Sequence, residues 1–73
     1  MPTPDTLPAR LRALREAAGL SRYALARAAG IHPGTYGRYE AGRKMITLET
    51  AGRIAAALGV SLAVFDGLDW GAK

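Results

Sequence analysis

Cysteine is absent from this chain of 73 residues, and histidine occurs once, at position 32. The first absence excludes disulfide bonds and thiolate metal sites, and a single imidazole cannot form a zinc site alone. We therefore expect no metal and no other cofactor. A chain of this length makes one small domain near the lower limit for a self-sufficient core. Its stability must come from helices packed on one another, extended if necessary by a partner subunit.

Long apolar runs are also lacking. No segment approaches the ~20 apolar residues of a membrane span, and residues 1–5 have neither the basic start nor the apolar centre of a signal peptide. Because a lack of cysteine also suits a reducing compartment, we expect a cytoplasmic protein without membrane association. There is no glycine-rich phosphate loop after a strand and no pair of carboxylates placed for catalysis, so we expect no enzyme.

Acidic residues are few and unevenly placed. The formal net charge is +4, with nine Lys or Arg against four Asp or Glu through position 53, and one against two after it. A basic body with a mildly acidic end suits a polyanion-binding face and a separate end for protein contacts. A solvated, arginine-rich surface without a partner explains the charge equally well.

Capping residues and glycines divide the chain into five predicted helices. They lie in a domain over residues 6–66, between a flexible arm, residues 1–5, and a tail, residues 67–73. The predicted helix starts are Thr6, Ser21, Pro33, Thr47 and Ser61. The glycines predicted to end these helices are Gly19, Gly30, Gly42, Gly59 and Gly67. Residues 43–46 form a basic loop, and the apolar face of the fourth helix comprises Leu48, Ala51, Ile54, Ala55 and Leu58.

Short motifs in a fixed order suggest a known family over about residues 10–66. These motifs are Leu14-Arg15, Gly19-Leu20-Ser21, Leu25-Ala26, Ala29-Gly30-Ile31, Tyr39-Glu40, Gly42, Leu48-Glu49-Thr50 and Ala57-Leu58-Gly59-Val60-Ser61. The sequence resembles the Cro/C1-type helix-turn-helix family, also called the Xre family, of phage repressors and bacterial regulators. The resemblance implies an all-α fold, a compact five-helix lambda-repressor-like bundle. It also implies binding of double-stranded DNA, with the third helix in the major groove.

The third helix supplies the predicted base contacts. Arg38 lies in its middle and can bind guanine through two hydrogen bonds, the alternative being a solvated or phosphate-bound arginine. His32 fits a DNA contact or a helix cap equally well, and Thr35 fits either a DNA contact or a hydroxyl that satisfies the helix start. Glycines here would let the backbone lie close to the groove. The predicted base-contact set is Arg38, His32, Pro33, Gly34, Thr35 and Gly37.

Phosphate contacts are predicted at two helix starts and after the recognition helix. Ser21 and Arg22 lie where exposed N–H groups and the helix dipole favour an anion, and the resemblance assigns phosphate contact to this position, although the family often has Gln in place of Arg22. Arg43 and Lys44 follow the recognition helix and would bind the flanking backbone, the alternative being a solvated loop. Thr47, at the start of the fourth helix, is a further predicted phosphate contact.

The resemblance also implies a structural ion pair between Arg15 and Glu40, which would link the first helix to the third. The three tyrosines are expected in the core or at its rim rather than as stacking platforms for single-stranded nucleic acid. They are Tyr23, Tyr36 and Tyr39.

Large apolar side chains are concentrated at the end of the chain. We expect a homodimer interface made of Leu62, Phe65, Leu68 and Trp70, because a domain this small cannot bury them all and relatives often dimerise through this region. The alternative is that Trp70 folds back on its own core. A two-fold dimer would set two recognition helices about 34 Å apart, on a near-palindromic site.

The predicted function is a sequence-specific transcription regulator, a homodimeric repressor of the phage-repressor, controller or antitoxin type. The alternative is a protein-interaction module, such as an antitoxin that masks a toxin, with weak DNA binding. Pro33, Gly34 and Gly37 favour the alternative, because they offer no side-chain hydrogen bonds to base edges. If Arg38 and the predicted phosphate-binding cations lie on one face of the domain, the DNA-binding function is favoured over the interaction module.

Overall fold

The computed structural model describes residues 6–65, which form an all-helical bundle. Its elements are α1 (Leu7–Ala17), α2 (Arg22–Ala29), α3 (Pro33–Glu40), α4 (Leu48–Leu58) and a short 3-10 helix (Leu62–Phe65). The all-α prediction is confirmed for this part of the chain. None of the four α-helices there has the length and apolar character needed to cross a bilayer.

The predicted short fifth helix is present as a 3-10 helix of four residues rather than as an α-helix, so the count of five helices in the bundle is slightly off. The N–H of Val64 donates to the carbonyl of Ser61 at 3.1 Å, which is the three-residue spacing of a 3-10 turn. The Ser61 hydroxyl accepts from the N–H of Ala63, also at 3.1 Å. Ser61 therefore caps this segment as predicted.

Side chains cap the start of every α-helix in the described region. Hydroxyl oxygens serve three of them, and these caps are Thr6, Ser21 and Thr47. In α3 the cap is His32, whose Nδ1 accepts a hydrogen bond of 3.0 Å from the N–H of Gly34. A Cβ atom at Gly34 would lie 3.3 Å from the His32 ring. Glycine at this position therefore leaves room for the imidazole that caps the helix.

Glycines follow the four α-helices as predicted, whereas the fifth predicted stop, Gly67, lies outside the described residues. Gly19, Gly30, Gly42 and Gly59 have φ between +72° and +74°, a region in which a side chain would be strained. The connections between helices can therefore be short, and α2 and α3 are separated by only three residues.

The core lies where α2 packs against α4 and α3, with α1 against α3. Its largest fully buried side chains are Tyr36, Phe65, Leu11, Leu25 and Ile54. The predicted basic loop lies between α3 and α4, and its Ile46 is buried. On the predicted apolar face of α4, Ile54 is buried but Leu48 is 65% exposed. A helical period shows which side of a helix a residue faces, but not whether a neighbour covers that end of the helix.

Candidate nucleic-acid interface

A bidentate ion pair joins α1 to α3. The Nε of Arg15 donates to Oε2 of Glu40 at 2.6 Å, and its Nη2 donates to Oε1 at 3.2 Å. The two side chains are only 12% and 6% exposed. The Nη1 of Arg15 also donates to the carbonyl of Leu20 at 2.9 Å, in the turn before α2. The structure thus brings the predicted partners together, and one guanidinium connects α1, this turn and α3.

Tyr36 extends the ion pair into the core. Its hydroxyl donates a hydrogen bond of 2.6 Å to Oε2 of Glu40, and its ring is fully buried. Burial, followed by the hydrogen bond to Glu40, raises the pKa of the Tyr36 phenol far above its usual value. The phenol therefore remains a hydrogen-bond donor across the physiological pH range.

Glu40 remains ionised despite its burial. Desolvation is the largest single influence and raises the pKa of the carboxyl, but hydrogen bonds from Arg15 and Tyr36, with the charges of Arg15 and Arg22, outweigh it. The net effect holds the pKa of Glu40 below its usual range. The same hydrogen bond from Arg15 to Glu40 raises the pKa of the guanidinium. A charged network thus fixes the last turn of α3 against α1.

An open cavity of about 470 Å³ lies between α1, α2 and α3. We call it the arginine cavity, and its lining consists of Arg12, Arg15, Ser21, Arg22, Gly37, Glu40 and Ala41. It brings the predicted phosphate contacts of α2, Ser21 and Arg22, beside Gly37 in the middle of the predicted recognition helix. The Ser21 oxygen already accepts a hydrogen bond of 3.0 Å from the N–H of Ala24, and its hydroxyl hydrogen remains available to an anion.

The cations of the described region fall into two groups. Five have a hydrogen-bonding partner, and they are Arg10, Arg12, Arg15, Arg27 and Arg53. Within residues 6–65 the side chains of the other four make neither a hydrogen bond nor an ion pair, and they are Arg22, Arg38, Arg43 and Lys44. All four are exposed. The cations left without a partner are therefore the same four that the sequence assigns to DNA.

Backbone hydrogen bonds tie the start of the loop after α3 to the last turn of that helix. The N–H of Arg43 donates to the carbonyl of Arg38 at 2.9 Å. A second cavity, of about 120 Å³, lies beside Arg43 and Lys44 and is otherwise lined mainly by apolar residues, including Met45. The Thr47 hydroxyl accepts from the N–H of Thr50 at 3.1 Å and donates to the Thr50 hydroxyl at 3.0 Å. The Thr47 hydroxyl therefore already has both a donor and an acceptor partner at the start of α4.

The remaining predicted base contacts differ in exposure. His32 and Gly34 are exposed, whereas Pro33, Thr35 and Gly37 are half-buried. Of the two alternatives for His32, the structure shows the helix cap, which occupies Nδ1 and leaves Nε2 unused by that bond. Among residues 6–65, no group of three or more His, Cys, Asp or Glu side chains is arranged to bind a metal ion.

The residues predicted for a dimer interface are divided between core and surface. Leu62 is 38% exposed, whereas Phe65 is 1% exposed and belongs to the core of its own chain. Leu68 and Trp70 lie outside the described residues. The neighbouring Val60 is 37% exposed and adds to the apolar surface beside Leu62.

Sequence reasoning missed two residues at this site. Arg12 lines the arginine cavity, and Tyr36 donates to Glu40. A signal existed for Tyr36, because residues four apart in a helix are neighbours and a tyrosine can reach a carboxylate there. The position of Arg12 depends on how α1 crosses α2 and α3, which no local pattern gives.

Comparison with known proteins gives a family and several similar structures. The helix-turn-helix model HTH_3 matches residues 11–65. The restriction-modification controller protein C.AhdI from Aeromonas hydrophila has 32% identity and a TM-score of 0.78, with 81% of this chain and 89% of that one covered. The clp gene regulator ClgR from C. glutamicum has 36% identity and a TM-score of 0.75, with 81% and 77% covered.

An HTH_3 family transcriptional regulator from Vibrio cholerae has 31% identity and a TM-score of 0.79, with 84% of this chain but only 34% of that one covered. Curated protein sequences give no match. All three similar structures carry the names of regulators or controllers, and none carries that of an enzyme. With a family model that covers most of its length and similar structures above 30% identity, this chain belongs to the Cro/C1-type helix-turn-helix family of DNA-binding transcription regulators.

Proposed function

We propose that this protein is a sequence-specific regulator that binds a near-palindromic site in double-stranded DNA as a homodimer and represses transcription. In this proposal α3 lies in the major groove, Arg38 binds a base edge, and Arg22, Arg43 and Lys44 bind phosphates. The observation that carries the proposal is that the side chains of these four cations make no hydrogen bond or ion pair within residues 6–65. Exposed guanidinium groups without a carboxylate partner are available to phosphate and guanine.

The acidic residues support the same assignment. All three glutamates of the described region have arginine partners, at Arg12, Arg15 and Arg53. Among residues 6–65, no carboxylate is therefore within ion-pair distance of Arg22, Arg38, Arg43 or Lys44, and these four cations can bind DNA without first breaking such a pair. A module that works only through protein contacts has no need to keep these particular cations unpaired.

The proposed dimer uses the apolar surface that follows α4. Leu62 and Val60 are its described exposed members, Leu68 and Trp70 belong to it on sequence grounds, and Phe65 supports the 3-10 helix from within the core. Replacing Leu62 with Glu should weaken self-association measured by sedimentation. Leu48→Glu is the matched control, since Leu48 is also an exposed leucine but lies at the opposite end of α4.

The test of DNA recognition is binding to the DNA upstream of the protein's own gene and to a shuffled duplex of equal length, over a series of salt concentrations. We expect tight binding to the native duplex alone, with a steep salt dependence. Arg22→Gln should weaken binding to both duplexes alike and lower the salt slope by about one. Weak and equal binding to both duplexes would instead support an interaction module, such as an antitoxin.

A further inference from the structure

Two arginines of the described region form nearly identical surface ion pairs in different places. Arg12 pairs with Glu16 at 3.2 Å, and Arg53 pairs with Glu49 at 3.2 Å. Both pairs join residues four apart in one helix, and the two arginine side chains are 68% and 54% exposed. Exposed pairs of this kind contribute little to stability. The two arginines differ in that only Arg12 lines the arginine cavity.

The groups around the arginine cavity leave a positive charge unbalanced. Glu40 is its only acidic lining residue, and the Glu40 carboxylate is engaged by Arg15 at 2.6 Å and 3.2 Å and by Tyr36 at 2.6 Å. Arg22 has no hydrogen-bonding partner in the described part of the chain. The guanidinium of Arg12 donates to Glu16, whose Oε2 also lies 4.0 Å from Nη2 of Arg15.

The wall of the cavity at α3 is open. Apart from its chain neighbours and the backbone of α3 itself, no atom lies within 4 Å of the point where a Cβ of Gly37 would be. A charged group from outside can therefore approach the α3 backbone at Gly37, within the cavity that Arg12 and Arg22 also line.

We propose that the arginine cavity receives a phosphate of the DNA backbone, and that Arg12 exchanges Glu16 for this phosphate when DNA binds. Guanidinium groups bind phosphate through paired, charge-assisted hydrogen bonds, and these are stronger than an exposed contact with a carboxylate. Glu16 then acts as a competitor that holds Arg12 in the free protein and weakens DNA binding. This proposal rests on the proposed function, because it concerns the same DNA.

The test compares variants that remove the same charge from the two pairs. On the duplex that the unaltered protein binds, Arg12→Gln should weaken binding about tenfold, whereas Arg53→Gln should weaken it much less, through net charge alone. Both arginines are exposed, so thermal unfolding monitored by circular dichroism should show both variants folded. Equal losses in the two variants would overturn the assignment of Arg12.

The competitor role has its own test. Glu16→Gln should strengthen binding several-fold more than Glu49→Gln, although each removes one negative charge. In the double variant Arg12→Gln with Glu16→Gln this extra gain should disappear, because it acts through Arg12. A gain that persists without Arg12 would overturn the exchange. Failure of the unaltered protein to bind any duplex would overturn the proposed function as well, whereas the other outcomes bear on Arg12 and Glu16 alone.

Discussion

Tyr36 donates its hydroxyl hydrogen to Oε2 of Glu40 at 2.6 Å, one helical turn further along α3. The same oxygen accepts from Nε of Arg15 at 2.6 Å. The ring of Tyr36 is fully buried and meets that of Tyr39 edge-on, with 6.4 Å between the ring centroids. The orientation of the recognition helix thus depends on the buried phenol of Tyr36 and on the ion pair of Arg15 with Glu40 at the edge of the core. Both contacts meet at Oε2 of Glu40.

Replacing Tyr36 with Phe should lower the free energy of unfolding by about 2 kcal/mol, because the buried carboxylate loses a donor while the ring remains. Urea denaturation measures this difference. Tyr23→Phe is the control, since Tyr23 is 58% exposed and its hydroxyl makes only a surface contact of 3.1 Å with Arg27. Equal stabilities for the two variants would show that the hydroxyl of Tyr36 does not support the network.

The ion pair should make stability depend on acid pH. The pKa of Glu40 is lower in the folded state than in the unfolded state. The contribution of ionised Glu40 to the free energy of unfolding is therefore complete above its unfolded pKa of about 4.3, and it is lost as the pH falls through its lower folded pKa. Glu40→Gln should cost about 3 kcal/mol at neutral pH, because it leaves Arg15 buried without its partner. The difference between variant and parent in urea denaturation should shrink below about pH 4. A difference that does not change with pH would contradict this account.

Capping residues and glycines predicted the helix bounds well. Helical periodicity did not predict which residues are buried, because burial depends on packing against distant parts of the chain. Caps at Ser21 and Thr47 depend only on residues two or three positions away, and so do the left-handed glycines that end the helices. Leu48 follows the same helical period as Ile54, yet nothing covers the first turn of α4, so that Leu48 is exposed and Ile54 is buried. The period could not distinguish them, because it carries no information about neighbouring helices.

The candidate site shows the same division. The Arg15–Glu40 pair came from the family resemblance, and the unpaired state of Arg38 and Arg22 agrees with residue type and position in the motif. The cavity that places Arg12 beside Arg22 could not be predicted, because it depends on the crossing of three helices. The 3-10 form of the segment after Ser61 could not be predicted either, since a cap signals where a helix starts but not which type of helix follows.

Gly37 gives a way to separate stability from DNA binding. A Cβ at Gly37 meets no atom within 4 Å, and the same is true of Gly52 in the middle of α4. Alanine at either position should therefore raise the free energy of unfolding by up to about 1 kcal/mol. Only Gly37 lines the arginine cavity, so Gly37→Ala should weaken DNA binding while Gly52→Ala leaves it unchanged. Thermal unfolding and titration with the native duplex measure the two effects. Undiminished binding by a stabilised Gly37→Ala variant would mean that DNA does not come close to α3 at this point.

Arg38 should determine sequence preference, which the phosphate-binding cations cannot do. It is exposed and lies next to Gly37 in α3, and its side chain makes no hydrogen bond or ion pair within residues 6–65. Arg38→Ala should cost about 1–3 kcal/mol of binding free energy on the native duplex and relax the preference at one base pair. The measurement is titration of parent and variant with a set of duplexes that differ from the native site by one base pair each. Arg53→Ala removes the same charge from α4 and should keep every preference of the parent. If Arg38→Ala weakened all duplexes by the same factor, Arg38 would be a phosphate contact, and base recognition would have to come from the backbone and the smaller side chains of α3.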